Sequence, residues 1–326
     1  MPSPRTPATL RAKKRRQSAP VRPTPPPVEQ DKQDRSEDRS DRLLIVGIGA
    51  SAGGLEAFTQ LLKHLPLDTG MGFVLVQHLD PEHESVLTQI LSRATSLPVR
   101  EITNNLPVQA NHVYIIPRNT NLRIEQGVLK LQVRERTRTP HRPIDAFFES
   151  LAQDQRERAI GVVLSGTGSD GTLGLEAIKA AGGITLAQDD SAKQDSMPRS
   201  AVAAGCVDLV LSPVDMAREL GRIAKHPYAV HGRKAGAGRG RARREDKAKG
   251  AEDGYKKIMV LLRNHCGVDF SLYKSTTIQR RITRRMVLAK EDTRGSYARF
   301  LQGNTQELDS LFSDVAHQRD EFLSQP

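Results

Sequence analysis

The sequence lacks several features that would assign it to a membrane or secreted class. No apolar run approaches the roughly 18 residues that a membrane-spanning helix needs. The basic N-terminal residues are not followed by an apolar stretch, so they do not predict a secretory signal. The two cysteines, Cys206 and Cys266, are too few for a disulfide framework and fit a reducing compartment. We therefore expect a cytoplasmic protein without membrane insertion.

The net charge of +11 is concentrated in two segments of low apolar content. Residues 1–41 hold 10 basic against 6 acidic residues, and residues 228–250 hold 8 against 2. We predict a disordered tail and a flexible basic linker there, because such segments bury too little surface to offset their ordering entropy. Residues 42–227 are near neutral, with 19 basic and 20 acidic residues. No nucleic-acid-binding groove is expected on that part.

Residues 42–227 alternate between short apolar runs and segments with helical spacing. The predicted strands are 43–49, 72–79, 112–117, 159–166, 184–189 and 206–212, with a hairpin at 121–133 that turns at Glu125–Gly127. The predicted helices are 55–65, 85–95, 143–153 and 173–183. This alternation predicts an α/β fold with a doubly wound, mostly parallel, Rossmann-like sheet. Ligands bind such sheets at the carboxyl ends of the strands.

A glycine-rich turn joins the first predicted strand directly to a helix. Gly49-Ala50-Ser51-Ala52-Gly53 fits G-x-S-x-G, a nucleophile elbow whose strained turn presents a serine hydroxyl. The N–H groups that open the helix would favour a developing oxyanion. Glycines 47 and 49 with the alanine at 52 also fit G-x-G-x-x-A, a dinucleotide-binding fingerprint. This turn alone leaves a serine hydrolase and an oxidoreductase open.

Two further strand ends carry the groups that a serine nucleophile needs. The second predicted strand ends at His78, a possible general base, and Asp170 lies in the turn after a later strand. A dinucleotide site would want an acidic residue at the end of the second strand, and Asp80 comes late for it. Ser51, His78 and Asp170 therefore predict a catalytic triad. No metal site is predicted, because His78, Asp80 and His83 lack a clear fourth ligand.

Residues 42–227 resemble the CheB protein-glutamate methylesterase domain. The segments that carry the resemblance are LLIVGIGASAGGLEAF, FVLVQHLDPEHES, RPIDAFFESLA, VVLSGTGSDGTLGLEAIKAAGG and QDSMPRSAVAAG. The resemblance implies hydrolysis of γ-glutamyl methyl esters on chemotaxis receptors, and deamidation of glutamines there. It implies that Ser51 is the nucleophile, His78 the base and Asp170 the orienting acid, with no cofactor.

The resemblance also implies oxyanion and substrate contacts at Ala52, Gly53, Thr167 and Met197. Many family members have threonine after the nucleophile and methionine inside the GxGxDG turn, where this chain has Ala52 and Thr167. These contacts are therefore expected to differ in detail. The family usually carries an N-terminal receiver domain, for which residues 1–41 are too short and too polar. We expect no control by phosphorylation in cis.

Residues 251–312 have helical patterns and little strand signal, which predicts a small all-α domain. They resemble the helical N-terminal domain of the CheR receptor methyltransferase, through Gly267-Val268-Asp269-Phe270, Tyr273-Lys274 and residues 277–286. In that family the arginine-rich helix faces the receptor. The resemblance therefore implies receptor contacts by Arg280, Arg281, Arg284 and Arg285, with a solvated basic helix as the alternative.

The CheR-like pattern stops near residue 312, and residues 313–326 diverge from it. Because no S-adenosylmethionine-binding domain follows, we expect receptor binding without methyl transfer. The favoured function is an ester hydrolase acting on methyl-accepting chemotaxis receptors. The alternatives are a catalytically idle receptor-binding adaptor and a dinucleotide-binding oxidoreductase. Failure to react with an active-serine probe would favour the adaptor, and a thermal shift with nicotinamide cofactors would favour the oxidoreductase.

Overall fold

The computed structural model describes residues 43–77, 87–133, 141–226, 241–270 and 275–316. The predicted tail at 1–41 lies outside these ranges, as do residues 228–240 of the predicted linker. Within the described ranges, no helix has both the length and the apolar character to cross a bilayer.

Seven strands form the central sheet, in the spatial order β10-β9-β8-β1-β2-β5-β3, and every pair in it is parallel. They are β1 (Ile45–Ala50), β2 (Gly72–Gln77), β3 (Val99–Glu101), β5 (His112–Ile115), β8 (Ala159–Val163), β9 (Ile184–Gln188) and β10 (Leu209–Leu211). β1 and β8 are buried along their whole length, as their uninterrupted runs of apolar and small residues require. The predicted parallel α/β fold is confirmed.

Six helices cover both faces of the sheet. They are α1 (Gly54–His64), α2 (Leu87–Ala94), α3 (Pro143–Gln155), α4 (Thr172–Ala180), α5 (Ser196–Ala203) and α6 (Pro213–Lys225). Val46 and Ile48 face one hydrophobic core, which includes residues of α1, α2 and α6. Ile45 faces a second core, which includes residues of α3, α4 and α5. The sheet is therefore doubly wound, and the alternation of side chains along β1 serves both layers.

The chain also forms a second sheet of three antiparallel strands, in the spatial order β4-β7-β6. Its strands are β4 (Leu106–Pro107), β6 (Thr120–Glu125) and β7 (Val128–Val133). The predicted hairpin is confirmed. Its turn residues Gln126 and Gly127 have φ angles of 51° and 71°, the left-handed pair that a tight hairpin turn needs. The sequence patterns missed β3, β4, α5 and α6.

Four helices form the predicted all-α domain around a core of its own, and this prediction is confirmed. They are α7 (Arg241–Cys266), α8 (Ser275–Leu288), α9 (Arg294–Gln302) and α10 (Thr305–Ala316). The structure differs from the sequence prediction at both ends. α7 begins inside the predicted flexible linker at 228–250, because Arg, Ala, Glu and Lys are strong helix formers whatever their net charge. α10 extends four residues past the boundary expected at residue 312.

Candidate active site

The candidate site lies where the order of strands reverses in the sheet. From β1 the chain continues to β2 on one side, whereas β8 pairs with β1 on the other. The crevice at the carboxyl ends of two such strands is the usual ligand site of an open α/β sheet. Ser51 follows β1, and Ser165 and Asp170 belong to the loop that follows β8. The structure therefore brings two of the predicted triad residues to neighbouring strand ends.

The turn that carries Ser51 is held on the β8 loop through Ser165. The backbone N–H of Ser51 donates to the carbonyl oxygen of Ser165 at 3.0 Å. The Ser165 hydroxyl donates to the carbonyl oxygen of Ala52 at 2.8 Å and accepts from the N–H of Gln194 at 3.0 Å. The N–H of Ser165 in turn donates to Oε1 of Gln188 at 2.9 Å. Ser165 is buried, and all of its polar groups serve to fix this turn.

Gly53 makes the sharp exit from the turn into α1. Its φ of 79° lies in the left-handed region, which side chains rarely adopt. A Cβ at this position would also lie 2.6 Å from the Ser165 hydroxyl oxygen. The carbonyl of Ser51 accepts from the N–H of Gly54 at 2.9 Å, as expected at a helix start. Among the described residues, no acceptor is found for the backbone N–H groups of Ala52 and Gly53.

The glycines of β1 have a packing role that does not involve a dinucleotide. A Cβ on Gly47 would lie 2.9 Å from Cε1 of Phe148, and one on Gly49 would collide with Cγ2 of Ile144. Both neighbours belong to α3, which crosses this face of the sheet. Close approach of α3 to β1 therefore explains why glycine is needed at these two positions. Gly47 and Gly49 are therefore no longer specific evidence for the G-x-G-x-x-A fingerprint. The G-x-S-x-G pattern around Ser51 still favours a nucleophile elbow.

Met197 and Ser51 both lie close to Gly166. Its N–H donates to the carbonyl oxygen of Gly166 at 3.1 Å, and its side chain has no exposed surface. A Cβ on Gly166 would lie 2.5 Å from Cε of Met197 and 3.0 Å from Cβ of Ser51. The absence of a side chain at Gly166 thus leaves the space in which both neighbours sit. The resemblance implies a substrate contact for Met197, which the structure places beside Gly166 with no exposed surface.

Gly166→Ala should therefore lower the reactivity of Ser51. The added methyl group must push either Met197 or Ser51, and displacements of about 1 Å cost up to about a hundredfold in rate. We expect at least a tenfold slower reaction with a fluorophosphonate probe, on the order that this displacement predicts. Gly303→Ala is the matched control, because its Cβ would meet open space at a φ of −103°. Equal labelling rates for both variants would contradict this account.

Asp170 and Asp145 cap each other's helices. The Asp170 carboxylate accepts from the N–H of Ile144 at 3.1 Å and of Asp145 at 2.9 Å, in the first turn of α3. Oδ1 of Asp145 accepts from the N–H of Gly171 at 2.8 Å and of Gly174 at 2.9 Å, at the start of α4. Neither helix has a side-chain cap at its own N-cap residue. The Asp170 carboxylate thus satisfies open N–H groups of α3, the helix that carries Asp145. The Asp145 carboxylate satisfies open N–H groups at the start of α4, the helix that follows Asp170.

The two carboxyl groups also interact with each other. Burial, and to a smaller extent the neighbouring charge of Asp170, raise the pKa of Asp145 to about 6. Hydrogen bonds from the N–H groups of Gly174 and Gly171 oppose this shift. Arg142 is paired with Asp145, with its Nη1 3.4 Å from Oδ2 of Asp145. A proton shared within the pair removes the repulsion between two buried charges.

Of the remaining predicted site residues, some lie in the part of the chain that the structure describes and others lie outside it. His78 lies outside the described residues, as do Asp80 and His83, so the triad stays a prediction. Thr167 is exposed at the rim of the β8 loop. The sequence patterns assigned no role to Ser165, Gln188 or Asp145. Only the Pro143-x-Asp145 spacing hinted at one, because proline and acidic residues favour the first turn of a helix.

The four arginines of α8 are not all exposed, as a solvated basic helix would require. Arg281 and Arg284 are 6% and 1% exposed, and both donate to the α/β domain. Arg281 donates to the carbonyl oxygens of residues 179 and 180, at the end of α4. Arg284 donates to that of Gly183 at 2.8 Å and pairs with Asp208 and Asp314. The end of a helix attracts cations, so this contact competes with any outside partner.

The other two arginines of α8 are closer to the surface. Nε of Arg280 lies 3.2 Å from Oε1 of Glu157, and its side chain is half exposed. Arg285 pairs with Glu307 inside the helical domain. Receptor contact by these two residues stays a prediction. Arg281 and Arg284 are buried because α8 has two buried faces in the fold, whereas the sequence pattern indicated only the face with Ile278, Ile282 and Met286.

Comparison with known proteins finds two family matches. Residues 46–220 match the family model described as CheB methylesterase, and residues 253–316 match the one described as CheR methyltransferase, all-alpha domain. A crystal structure of the Thermotoga maritima CheB methylesterase catalytic domain aligns with a TM-score of 0.52 and 28% identity. That alignment covers 56% of this chain and 98% of the solved one.

Two curated relatives match this chain over only part of their own length. The protein-glutamate methylesterase/protein-glutamine glutaminase 2 of Burkholderia pseudomallei is 38% identical over 169 residues, which are 51% of this chain and 49% of that protein. An uncharacterised 104.1 kDa protein of Rhodobacter capsulatus is 36% identical over 254 residues, which are 74% of this chain and 26% of that protein. The chain therefore spans half of the first relative and about a quarter of the second.

Proposed function

Because the chain belongs to the CheB methylesterase family, we propose that it hydrolyses glutamate methyl esters on chemotaxis receptors, with Ser51 as the nucleophile. The observation that supports this most is the geometry of the turn at Ser51. Its backbone is fixed by Ser165, while two neighbouring N–H groups have no acceptor among the described residues. Such a turn provides both parts of an acyl-transfer site, a fixed hydroxyl and a place for an oxyanion.

The N–H groups of Ala52 and Gly53 are the proposed oxyanion donors. A peptide group is planar, with its oxygen and hydrogen on opposite sides. The carbonyl of Ala52 points at the Ser165 hydroxyl, so the N–H of Gly53 points away from Ser165. This direction leaves the group available to a substrate oxygen, and the start of α1 adds a favourable dipole. Met197, which has no exposed surface, would support Gly166 and not touch the substrate.

The proposed reaction proceeds in two steps. The Ser51 hydroxyl attacks the ester carbonyl while His78 takes its proton, and the tetrahedral oxyanion forms beside Ala52 and Gly53. His78 returns the proton to the leaving methoxide, which departs as methanol. Water then attacks the acyl-enzyme by the same route and releases the glutamate carboxylate. Attack on a glutamine side chain would release ammonia in place of methanol, which accounts for deamidation by the same residues.

Asp170 is proposed to hold His78 in the required tautomer. A carboxylate can accept about four hydrogen bonds. Two of those of Asp170 come from backbone N–H groups of α3, which fix its plane. The remaining lone pairs are sufficient for an imidazole N–H. Thr167, on the exposed rim of the same loop, is proposed to contact the substrate.

The proposed partner is a methyl-accepting chemotaxis receptor, and the proposed location is the cytoplasm. Both follow from the family relationship and from the low cysteine content. The reaction needs no cofactor, because the nucleophile, the base and the oxyanion donors all come from the chain. Receptor contact through α8 would be limited to Arg280 and Arg285 while Arg281 and Arg284 remain in their present contacts.

The test is methanol release from a receptor signalling fragment that carries methylated glutamates. The full chain should release methanol in proportion to the methyl esters present, and none from an unmethylated fragment. Labelling with a fluorophosphonate probe in parallel reports whether the serine is reactive at all. Labelling without methanol release would assign the chain to another ester, and neither signal would contradict the proposed function.

A further inference from the structure

We propose that Asp145 is a positioning residue that holds the loop carrying Asp170, through a buried pair of carboxyls that caps α3 and α4 and can hold a proton between them. The inference rests on the proposed esterase function for its kinetic consequence only. Its structural basis is the reciprocal capping of α3 and α4. Asp145 is 3% exposed and Asp170 is 5% exposed, so neither carboxyl can exchange its protein partners for solvent without movement of the chain.

The pair connects two helices that come from distant parts of the sequence. Asp145 accepts hydrogen bonds from the N–H of Gly171, directly after Asp170, and from the N–H of Gly174 in the first turn of α4. It therefore fixes the backbone that immediately follows Asp170. Asp170 itself is fixed by two N–H groups of α3, one of which belongs to Asp145. Moving either carboxyl moves the other.

Protonation of the pair decides whether the two carboxyls of this arrangement repel each other. The charged groups that face Asp145 among the described residues are Asp170 from the β8 loop and Arg142 from the start of α3. Arg142 is half exposed and lies 3.4 Å away, so it offsets only part of the repulsion. A proton on Oδ2 of Asp145 lets that oxygen donate to Asp170, while Oδ1 keeps both N–H groups of α4.

Asparagine at position 145 imitates the protonated acid. Its Oδ1 can accept from both N–H groups, and its Nδ2 can donate to the Asp170 carboxylate. Alanine removes the acceptor and leaves two buried N–H groups without a partner. Glu149→Gln is the matched control, because it removes an exposed carboxyl from the same helix. The proposal predicts that Asp145→Asn behaves like the parent chain and Asp145→Ala does not.

The kinetic test uses hydrolysis of p-nitrophenyl acetate by the full chain. Asp145→Ala should lower kcat by about a hundredfold with little change in KM, because the catalytic acid is displaced by a fraction of an ångström or more. Asp145→Asn and Glu149→Gln should retain kcat within about threefold, a change of less than 0.7 kcal/mol in transition-state binding. Loss of kcat in Asp145→Asn comparable to that in Asp145→Ala would overturn the proposal, and so would an unchanged kcat in Asp145→Ala.

The structural test compares the Tm of the parent chain with that of Asp145→Asn between pH 4 and pH 7. The pKa of Asp145 is raised in the folded state, so the folded chain holds this proton more strongly than the unfolded one. Its contribution to stability is complete below the unfolded pKa and is lost as the pH rises through about 6. The Tm of the parent should fall relative to Asp145→Asn by about 3 °C across this range.

The two tests separate failure of this inference from failure of the proposed function. A constant difference in Tm across the range would show that the pair holds no proton and would overturn the inference, whatever the kinetics. If the parent chain hydrolyses no ester, the proposed function fails, and the Tm comparison still decides whether the carboxyl pair exists. If Asp145→Ala does not fold, the kinetic test and the Tm comparison are both made with Asp145→Asn, and Glu149→Gln serves as the control.

Discussion

Ser51→Ala should lower methyl-ester hydrolysis by at least about a thousandfold, because it removes the nucleophile and leaves only binding and oxyanion stabilisation. The fold should not change. The contacts of Ser51 that anchor the turn run through its backbone N–H and carbonyl, which alanine retains. The measurement is methanol release from a methylated receptor fragment, with thermal unfolding followed in parallel.

Ser92→Ala is the control for this substitution. Ser92 is an exposed residue of α2 whose hydroxyl bonds only within its own helix. It should leave methanol release unchanged. Methanol release by Ser51→Ala at a rate close to that of the parent would remove the basis for a serine mechanism. A parent chain that is active only on small esters would instead point to a different substrate for the same nucleophile.

The sequence was sufficient to predict six of the seven strands of the central sheet and the position of Ser51 at the end of the first. Buried parallel strands appear in a sequence as short apolar runs. β1, β2 and β8, whose ends form the candidate site, each have such a run. The turn after β1 has a local pattern that depends on a few consecutive residues. Because strand ends converge in a parallel sheet, the pattern also placed Asp170 near Ser51 without any knowledge of contacts.

The support around these residues could not be predicted, because it comes from pairs far apart in sequence. Asp145 meets Gly171 across 26 positions, and Ser165 meets Ala52 across 113. In sequence, Asp145 has the ordinary appearance of an acidic residue in a first helical turn. Ser165 resembles any serine in a glycine-rich loop. Their roles arise only when the fold brings the partner backbone to them.

The face that α8 buries was equally invisible in the sequence. Its four arginines predict a solvated or receptor-binding surface, since charged residues are rarely buried without partners. The partners are the carbonyl oxygens at the end of α4 and two aspartates from different domains. Val287, on the same face, packs into the core of the α/β domain. An outside partner of Arg281 or Arg284 would have to displace these contacts.

Arg284→Met is expected to destabilise the full chain by about 3–5 kcal/mol, the usual cost of removing one partner from a buried ion pair. Asp208 and Asp314 would lose the guanidinium between them. Asp208 also accepts from the N–H and hydroxyl of Thr185, so its displacement would disturb the start of β9. Lys179, 3.7 Å from Asp208, offsets part of the loss. Urea unfolding of the full chain measures the difference.

Two comparisons decide whether the charge, and not the volume, of Arg284 holds the domains together. Arg280→Met removes an exposed pair with Glu157 from the same helix and should cost no more than about 1 kcal/mol. Adding Asp208→Asn and Asp314→Asn to Arg284→Met should recover part of the loss, because neutral amides leave no unpaired buried charge. Equal costs for Arg284→Met and Arg280→Met would mean that α8 is not docked on the α/β domain in solution, and its arginines would again be open to a receptor.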